Sequence, residues 1–341
     1  GYWAQLPRRN PDLVAERGAE YEIGFDAAAF DDRLGVEFTY YDKRMRDVII
    51  STGAAGSTGF GNTFYGATTS VLKNLGETHN SGVELGITAT PVQTRRFAWD
   101  ARVSLTTNDN ELVSFGDARP REAVSGQSFA TVQEHRAGYP LAGYWAQLPR
   151  RNPDGTPVLN SAGVVQLDTA TYIGPSAPTH EISFSNTFTF LRDFSVYVLL
   201  DHKGGHYIYN HKEFNRCGTA TVANCERINN PANANHPELP VWRQVRAAYI
   251  EKADFVKLRD LSLTYTVPTA WAQRFRATAA SLTLAGRNLA LWSDYSGIDP
   301  EVNGYGSGGI TGGGIARNFA RADIFPVPMT RRVSVSLNLS F

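Results

Sequence analysis

The stretch Arg331-Arg332-Val333-Ser334-Val335-Ser336-Leu337-Asn338-Leu339-Ser340-Phe341 decides how the rest of the chain is read. Val333, Val335, Leu337, Leu339 and Phe341 alternate with Ser334, Ser336, Asn338 and Ser340. Successive side chains of a strand point to opposite faces, so the segment predicts a strand with one wholly apolar face and one wholly polar face. A half-buried strand of a water-soluble sheet has the same pattern, and the decision between them rests on the rest of the chain.

A terminal amphipathic strand closing on an aromatic residue resembles the C-terminal strand of bacterial outer-membrane barrels. Their lipid side is apolar, their lumen side polar, and aromatic girdles mark the interfaces. That resemblance implies that Val335, Leu337, Leu339 and Phe341 form the signal met by the barrel assembly machinery and then face outer-membrane lipids. Composition agrees. The 341 residues carry 33 basic and 33 acidic side chains, a balance that speaks against nucleic acid as a partner. No apolar run approaches the roughly 18 residues of a transmembrane helix, a test that barrel strands escape. Gly (31) and aromatics (11%) are plentiful while helical periodicity is nearly absent, which favours an all-β chain. No signal peptide precedes Gly1, so the chain is expected to be the C-terminal part of a longer protein.

Alternating segments recur. Tyr21, Ile23, Phe25, Ala27 and Ala29 lead through Asp31-Asp32-Arg33 to Leu34, Val36, Phe38 and Tyr40. Val83, Leu85, Ile87 and Ala89 turn at Gln93–Arg95 into Phe97, Trp99, Ala101, Val103 and Leu105. Ile182, Phe184, Phe188 and Phe190 turn at Leu191-Arg192-Asp193 into Phe194, Val196, Val198 and Leu200. Leu261, Leu263, Tyr265 and Val267 stop at Pro268, a short helical turn is expected at Ala270–Phe275, and Leu282 and Leu284 lead to Trp292. Long connections at 51–75, 112–178, 210–250 and 295–327 fall between the hairpins. The prediction is an antiparallel transmembrane outer-membrane β-barrel, here a partial barrel of about nine strands with long extracellular loops and short periplasmic turns. β-Sandwiches or a propeller would not confine long loops to alternate connections.

Cys217 and Cys225 lie close together in one polar loop. An oxidising compartment makes a local disulfide the expectation; two free surface thiols are the alternative. The segment GYWAQLPRRNPD occurs twice, at 1–12 and 143–154, with unlike flanks, so it marks a local duplication or a splice rather than a solenoid period.

Several stretches resemble one family, the SusC/RagA-like TonB-dependent transporters. They are Asn10–Glu16 with Glu22–Asp26 and Tyr40-Tyr41-Asp42; Asn80-Ser-Gly-Val-Glu-Leu85; Gly174–Pro178; Ala253–Tyr265; and Gly286–Trp292 with Tyr295, Gly297 and Asp299-Pro300-Glu301. The resemblance implies energised import of oligosaccharides or oligopeptides, a glycan or peptide substrate captured under a SusD-like surface lipoprotein, and contact with the TonB complex through an N-terminal region and plug outside residues 1–341. A passive porin and a secreted β-sheet adhesin are the rival functions.

No catalytic constellation stands out: there is no Gly-x-Ser-x-Gly elbow, His-Glu-x-x-His or phosphate loop, and no cofactor is expected. Asp299-Pro300-Glu301 and Asn152-Pro153-Asp154-Gly155 read as turns before they read as cation sites. His202, His206 and His211 cluster in sequence, but their spacing is too wide for a strand to offer one metal ion, and no metal site is expected. Among the loop aromatics, Tyr144, Trp145 and Tyr305 are the expected substrate contacts, with loop core or interfacial anchoring as the alternative.

Overall fold

The computed structural model describes residues 11–53, 70–115, 121–123, 132–218, 225–303 and 321–341. The strands are β1 (Arg17–Ala29), β2 (Leu34–Gly53), β3 (Ser70–Gln93), β4 (Phe97–Thr107), β5 (Asp109–Ser114), β6 (Arg121–Ala123), β7 (Gln133–Arg136) and β8 (Gly143–Pro149). They continue with β9 (Leu167–Gly174), β10 (His180–Phe190), β11 (Phe194–Gly204), β12 (Tyr207–Tyr209), β13 (Ile250–Lys252), β14 (Phe255–Val267), β15 (Ala279–Ser293) and β16 (Arg332–Ser340). One ten-stranded sheet runs β1-β2-β3-β4-β10-β11-β14-β15-β16, with β5 paired to β3. The nine strands along that path are the nine that alternation predicts, and every pair is antiparallel. Among the described residues the outer edges of β1 and β16 pair with no strand.

Register places the short turns between the nine wall strands on one rim. Ala29 pairs with Leu34, Leu34 with Ala89, Phe97 with Phe190, Phe190 with Phe194, Phe194 with Tyr265, and Ala279 with Ser340 beside the terminal Phe341. Two of these turns, Phe30-Asp31-Asp32 and Leu191-Arg192, use the left-handed backbone that tight hairpins require. A row of rings marks this rim: Phe97 lies 5.2 Å from Phe190, and Phe194 lies 4.8 Å from Tyr265. Outward-facing Leu263, Leu284, Val335 and Leu337 are exposed although apolar, and Leu337 is 63% exposed. An apolar surface of this extent is a lipid face, not a water face.

Strands β4, β10 and β11 have 11 residues each, the length that crosses a bilayer. β2 and β3 have 20 and 24 residues and run past it, so the segment read as a loop at 51–75 is strand at both ends. The connection at 112–178 folds into a second sheet, β6-β7-β8-β9. The connection at 210–250 holds helices α1 (His211–Gly218), α2 (Glu226–Asn229) and α3 (Leu239–Gln244) and ends in β13, which pairs with β12. Helices of eight, four and six residues are too short to show a helical period. The expected helical turn before β15 is present as α4 (Thr269–Ala272) and a 3₁₀ turn at Gln273–Phe275. No described helix is long and apolar enough to cross a membrane, which says nothing about crossing by strands.

Candidate functional site: the folded loops and the charged inner wall

The small sheet and the short helices share one core on the long-loop rim, with Val132, Tyr144, Tyr209, Tyr249, Cys217 and Cys225 at its centre. The second copy of the repeated segment supplies β8, one of the two inner strands of the small sheet. Alternation along it sends Tyr144 and Ala146 into the core and Trp145 to the other face. Tyr144 is fully buried. Its hydroxyl donates to Arg321 O at 2.6 Å and accepts from Tyr209 N at 3.1 Å. Gln133 Oε1 accepts from Arg321 N at 3.0 Å, so two side chains grip one residue of the chain returning to β16. Nearby, Tyr295 donates to Asp323 Oδ2 at 2.9 Å, and burial together with that carboxylate pushes its phenol up. Burial also pushes His135 down to about 4, so the ring is neutral at neutral pH, and its Nδ1 is the acceptor for Ala142 N at 3.0 Å.

Trp145 lines a cavity of about 780 Å³ with Arg136, Gln147, Phe214, Gln244 and Arg246. The Arg136 guanidinium lies 3.6 Å from the Trp145 ring centroid and bonds Glu134 at 2.7 Å. Tyr139 packs edge-on to the same indole at 4.7 Å. Arg246 stands 5.4 Å from the Phe214 ring. The cavity thus offers guanidinium, carboxylate and amide groups between aromatic walls. Of the expected substrate contacts, Trp145 reaches it, Tyr144 supports the core beneath, and Tyr305 lies outside the described residues.

Cys217 and Cys225 form a disulfide with Cα atoms 5.1 Å apart, and both are buried in the loop core rather than set in a polar surface loop. The seven intervening residues make a small ring, whose closure contributes about 2–3 kcal/mol by the chain-entropy model. The full-length protein with Cys217→Ser should insert and keep its heat-modifiable gel mobility, because strands hold the wall, while external protease cuts the 211–250 region faster. An unchanged digestion pattern would show that the bridge constrains nothing.

The inner wall carries a second constellation. A bulge between Leu258 and Asp260 leaves Arg259 without a cross-strand partner. Arg259 then bonds Asp201 and Glu301, each at 2.6 Å, and Lys257 bonds Asp299 at 2.8 Å and Glu301 at 2.7 Å. Burial works against the charge on Glu301, yet Arg259 and Lys257 hold its carboxyl down to about 2. Asp299-Pro300-Glu301 does turn, with Glu301 N donating to Asp299 Oδ1 at 2.9 Å, and both carboxylates are spent inside the protein. Asn152–Gly155 is likewise a turn, with Gly155 in the left-handed region at φ 85°. The three histidines grouped by sequence separate: His206 and His211 are buried, and His202 pairs with His180 instead.

A wall apolar outside and charged inside, with short turns on one rim and folded loops on the other, defines an outer-membrane β-barrel protein. The TonB dependent receptor-like, beta-barrel family matches residues 1–289, and the chain belongs to that family. It is similar to TonB-dependent receptor P26 of Formosa agariphila, at 27% identity over 364 residues, covering 97% of this chain and 35% of that protein. It is also similar to TonB-dependent receptor SusC of Bacteroides thetaiotaomicron, at 23% identity over 317 residues, covering 86% and 30%. The solved RagAB peptide transporter shares the fold with a TM-score of 0.75 at 19% identity, covering 97% of this chain and 36% of that one. The barrel is therefore SusC/RagA-like, and the chain spans about a third of the length of the curated relatives it matches.

Proposed function

We propose that residues 1–341 form the C-terminal barrel portion of a transporter that imports oligosaccharides or oligopeptides across the outer membrane. Import is energised through the TonB complex and served by a SusD-like surface lipoprotein over the loop rim. The observation that carries this reading is the folded loop assembly with its cavity beside Trp145 and Arg136. A packed, disulfide-tied loop assembly that holds a lined cavity supports capture of a substrate before its passage. Similarity to SusC and to the RagAB transporter supports the same reading. Trp145 and Arg136 are the side chains assigned to the substrate, and Tyr144 holds them from below.

The test is uptake of labelled oligosaccharide and oligopeptide pools by cells carrying the full-length protein, with and without TonB. Uptake should fall without TonB to the level of cells lacking the transporter. Uptake that persists would identify a passive porin.

A further inference from the structure

We propose that His180 and His202 form a binding site for a divalent transition-metal ion, of the zinc or copper type, on the outward face at the loop rim. The two residues lie 22 apart in sequence, and antiparallel pairing of β10 with β11 brings them together. Their Nε2 atoms are 3.2 Å apart. Two imidazole ligands on a tetrahedral ion at ~2.0–2.1 Å are separated by about 3.3 Å, so the gap matches the bite of such an ion.

The opposite ring nitrogens bear on which electron pairs face each other. His202 Nδ1 lies 2.8 Å from Phe255 O. A carbonyl oxygen only accepts, so Nδ1 carries the proton and Nε2 of the neutral ring presents its lone pair. His180 Nδ1 lies 3.2 Å from the Thr179 hydroxyl, which leans on Gly204 O at 3.5 Å. When the hydroxyl proton points at that carbonyl, His180 Nδ1 is the donor and its Nε2 also presents a lone pair; when it points at His180 Nδ1, the ring proton sits on Nε2 and donates to His202 Nε2. Without an ion the two rings share an Nε2–H···Nε2 hydrogen bond, and an ion entering between them takes both lone pairs once the His180 proton moves to Nδ1. Histidines that bind metals are oriented in this way, with the second nitrogen donating to a carbonyl or a similar acceptor.

The backbone is cut to fit the pair. A Cβ at Gly204 would stand 2.5 Å from His180 Nε2 and 2.9 Å from His202 Nε2, so only glycine leaves both nitrogens in place. Register continues the row from His202 to Val256 and on to Trp292, which is 55% exposed, so the remaining coordination positions open outward at the interface. Imidazole nitrogen suits zinc, copper and nickel and does not suit calcium or magnesium.

The test uses the full-length, tag-free protein in detergent with Zn²⁺ as the only added metal. Wild type should bind one more zinc ion than either His180→Ala or His202→Ala, or bind it at least about tenfold more tightly. His236→Ala, which removes an exposed loop imidazole, should bind as wild type does. Heat-modifiable mobility confirms that each variant is a folded barrel. Should a variant fail that check, Cu²⁺ bound to the wild type gives the answer through electron paramagnetic resonance, where hyperfine coupling to two imidazole nitrogens is expected. Equal zinc binding by wild type and both variants, or a copper signal without two coupled nitrogens, would overturn the site.

Discussion

Leu337→Arg should sharply reduce assembly of the full-length barrel, and Ser336→Arg should do so far less. Leu337 lies near the middle of β16 on the exposed apolar face and pairs with Leu282, so an arginine there meets lipid. The cost is roughly 2–4 kcal/mol near the bilayer midplane, a large share of what holds one terminal strand to its neighbour. Ser336 pairs with Thr283 on the polar face, where Thr283 already shares a hydroxyl contact at 2.9 Å with Thr264. A longer polar side chain there enters the lumen. The measurement is the amount of heat-modifiable protein in outer-membrane fractions. Equal losses for the two variants would reverse the assignment of faces on which the membrane reading rests.

The wall was legible because its physics is local. A lipid face and a lumen face each impose a period of two, so Val335 or Phe188 reveals its side from its neighbours alone. The loop assembly obeys a different rule. Tyr144 is an aromatic in a long connection, and nothing near it in sequence says whether its ring meets substrate or core. Its hydroxyl is spent on Arg321, 177 residues away. The pairing of His180 with His202 was hidden for a similar reason: the sequence groups His202 with His206 and His211, while strand register joins it to a residue on the neighbouring strand. The cysteines succeeded where the tyrosine did not, because their partners were eight positions apart.

The charged inner wall left a trace that alternation does contain. Val256 and Leu258 keep step, but the next apolar residues are Leu261, Leu263 and Tyr265, so the phase slips by one between them. That slip is the bulge at Arg259. Reading it would have shown Lys257, Arg259 and Asp260 crowding the polar face. The carboxylates that answer them, Asp299 and Glu301, come from a loop, and no periodicity announces them.

This constellation should make Lys257→Met one of the most damaging single changes in the described chain. The Lys257 side chain is 4% exposed and that of Asp299 7%, so removing the ammonium strands a carboxylate that water cannot reach. Breaking one side of a buried pair costs roughly 3–5 kcal/mol, chiefly because the remaining charge is left uncompensated. The loss should fall on the loop at 294–303, which the pair ties to the wall, and appear as new protease cleavage there together with reduced thermal stability of the full-length barrel. Glu301 keeps Arg259 as a partner, which limits the damage to the Asp299 side. The double variant Lys257→Met with Asp299→Asn should therefore recover much of the stability, since it removes the stranded charge along with its former partner. A Lys257→Met protein as stable as the parent, or a double variant worse than the sum of its two single changes, would mean that the buried ion pair is not what holds this loop in the barrel.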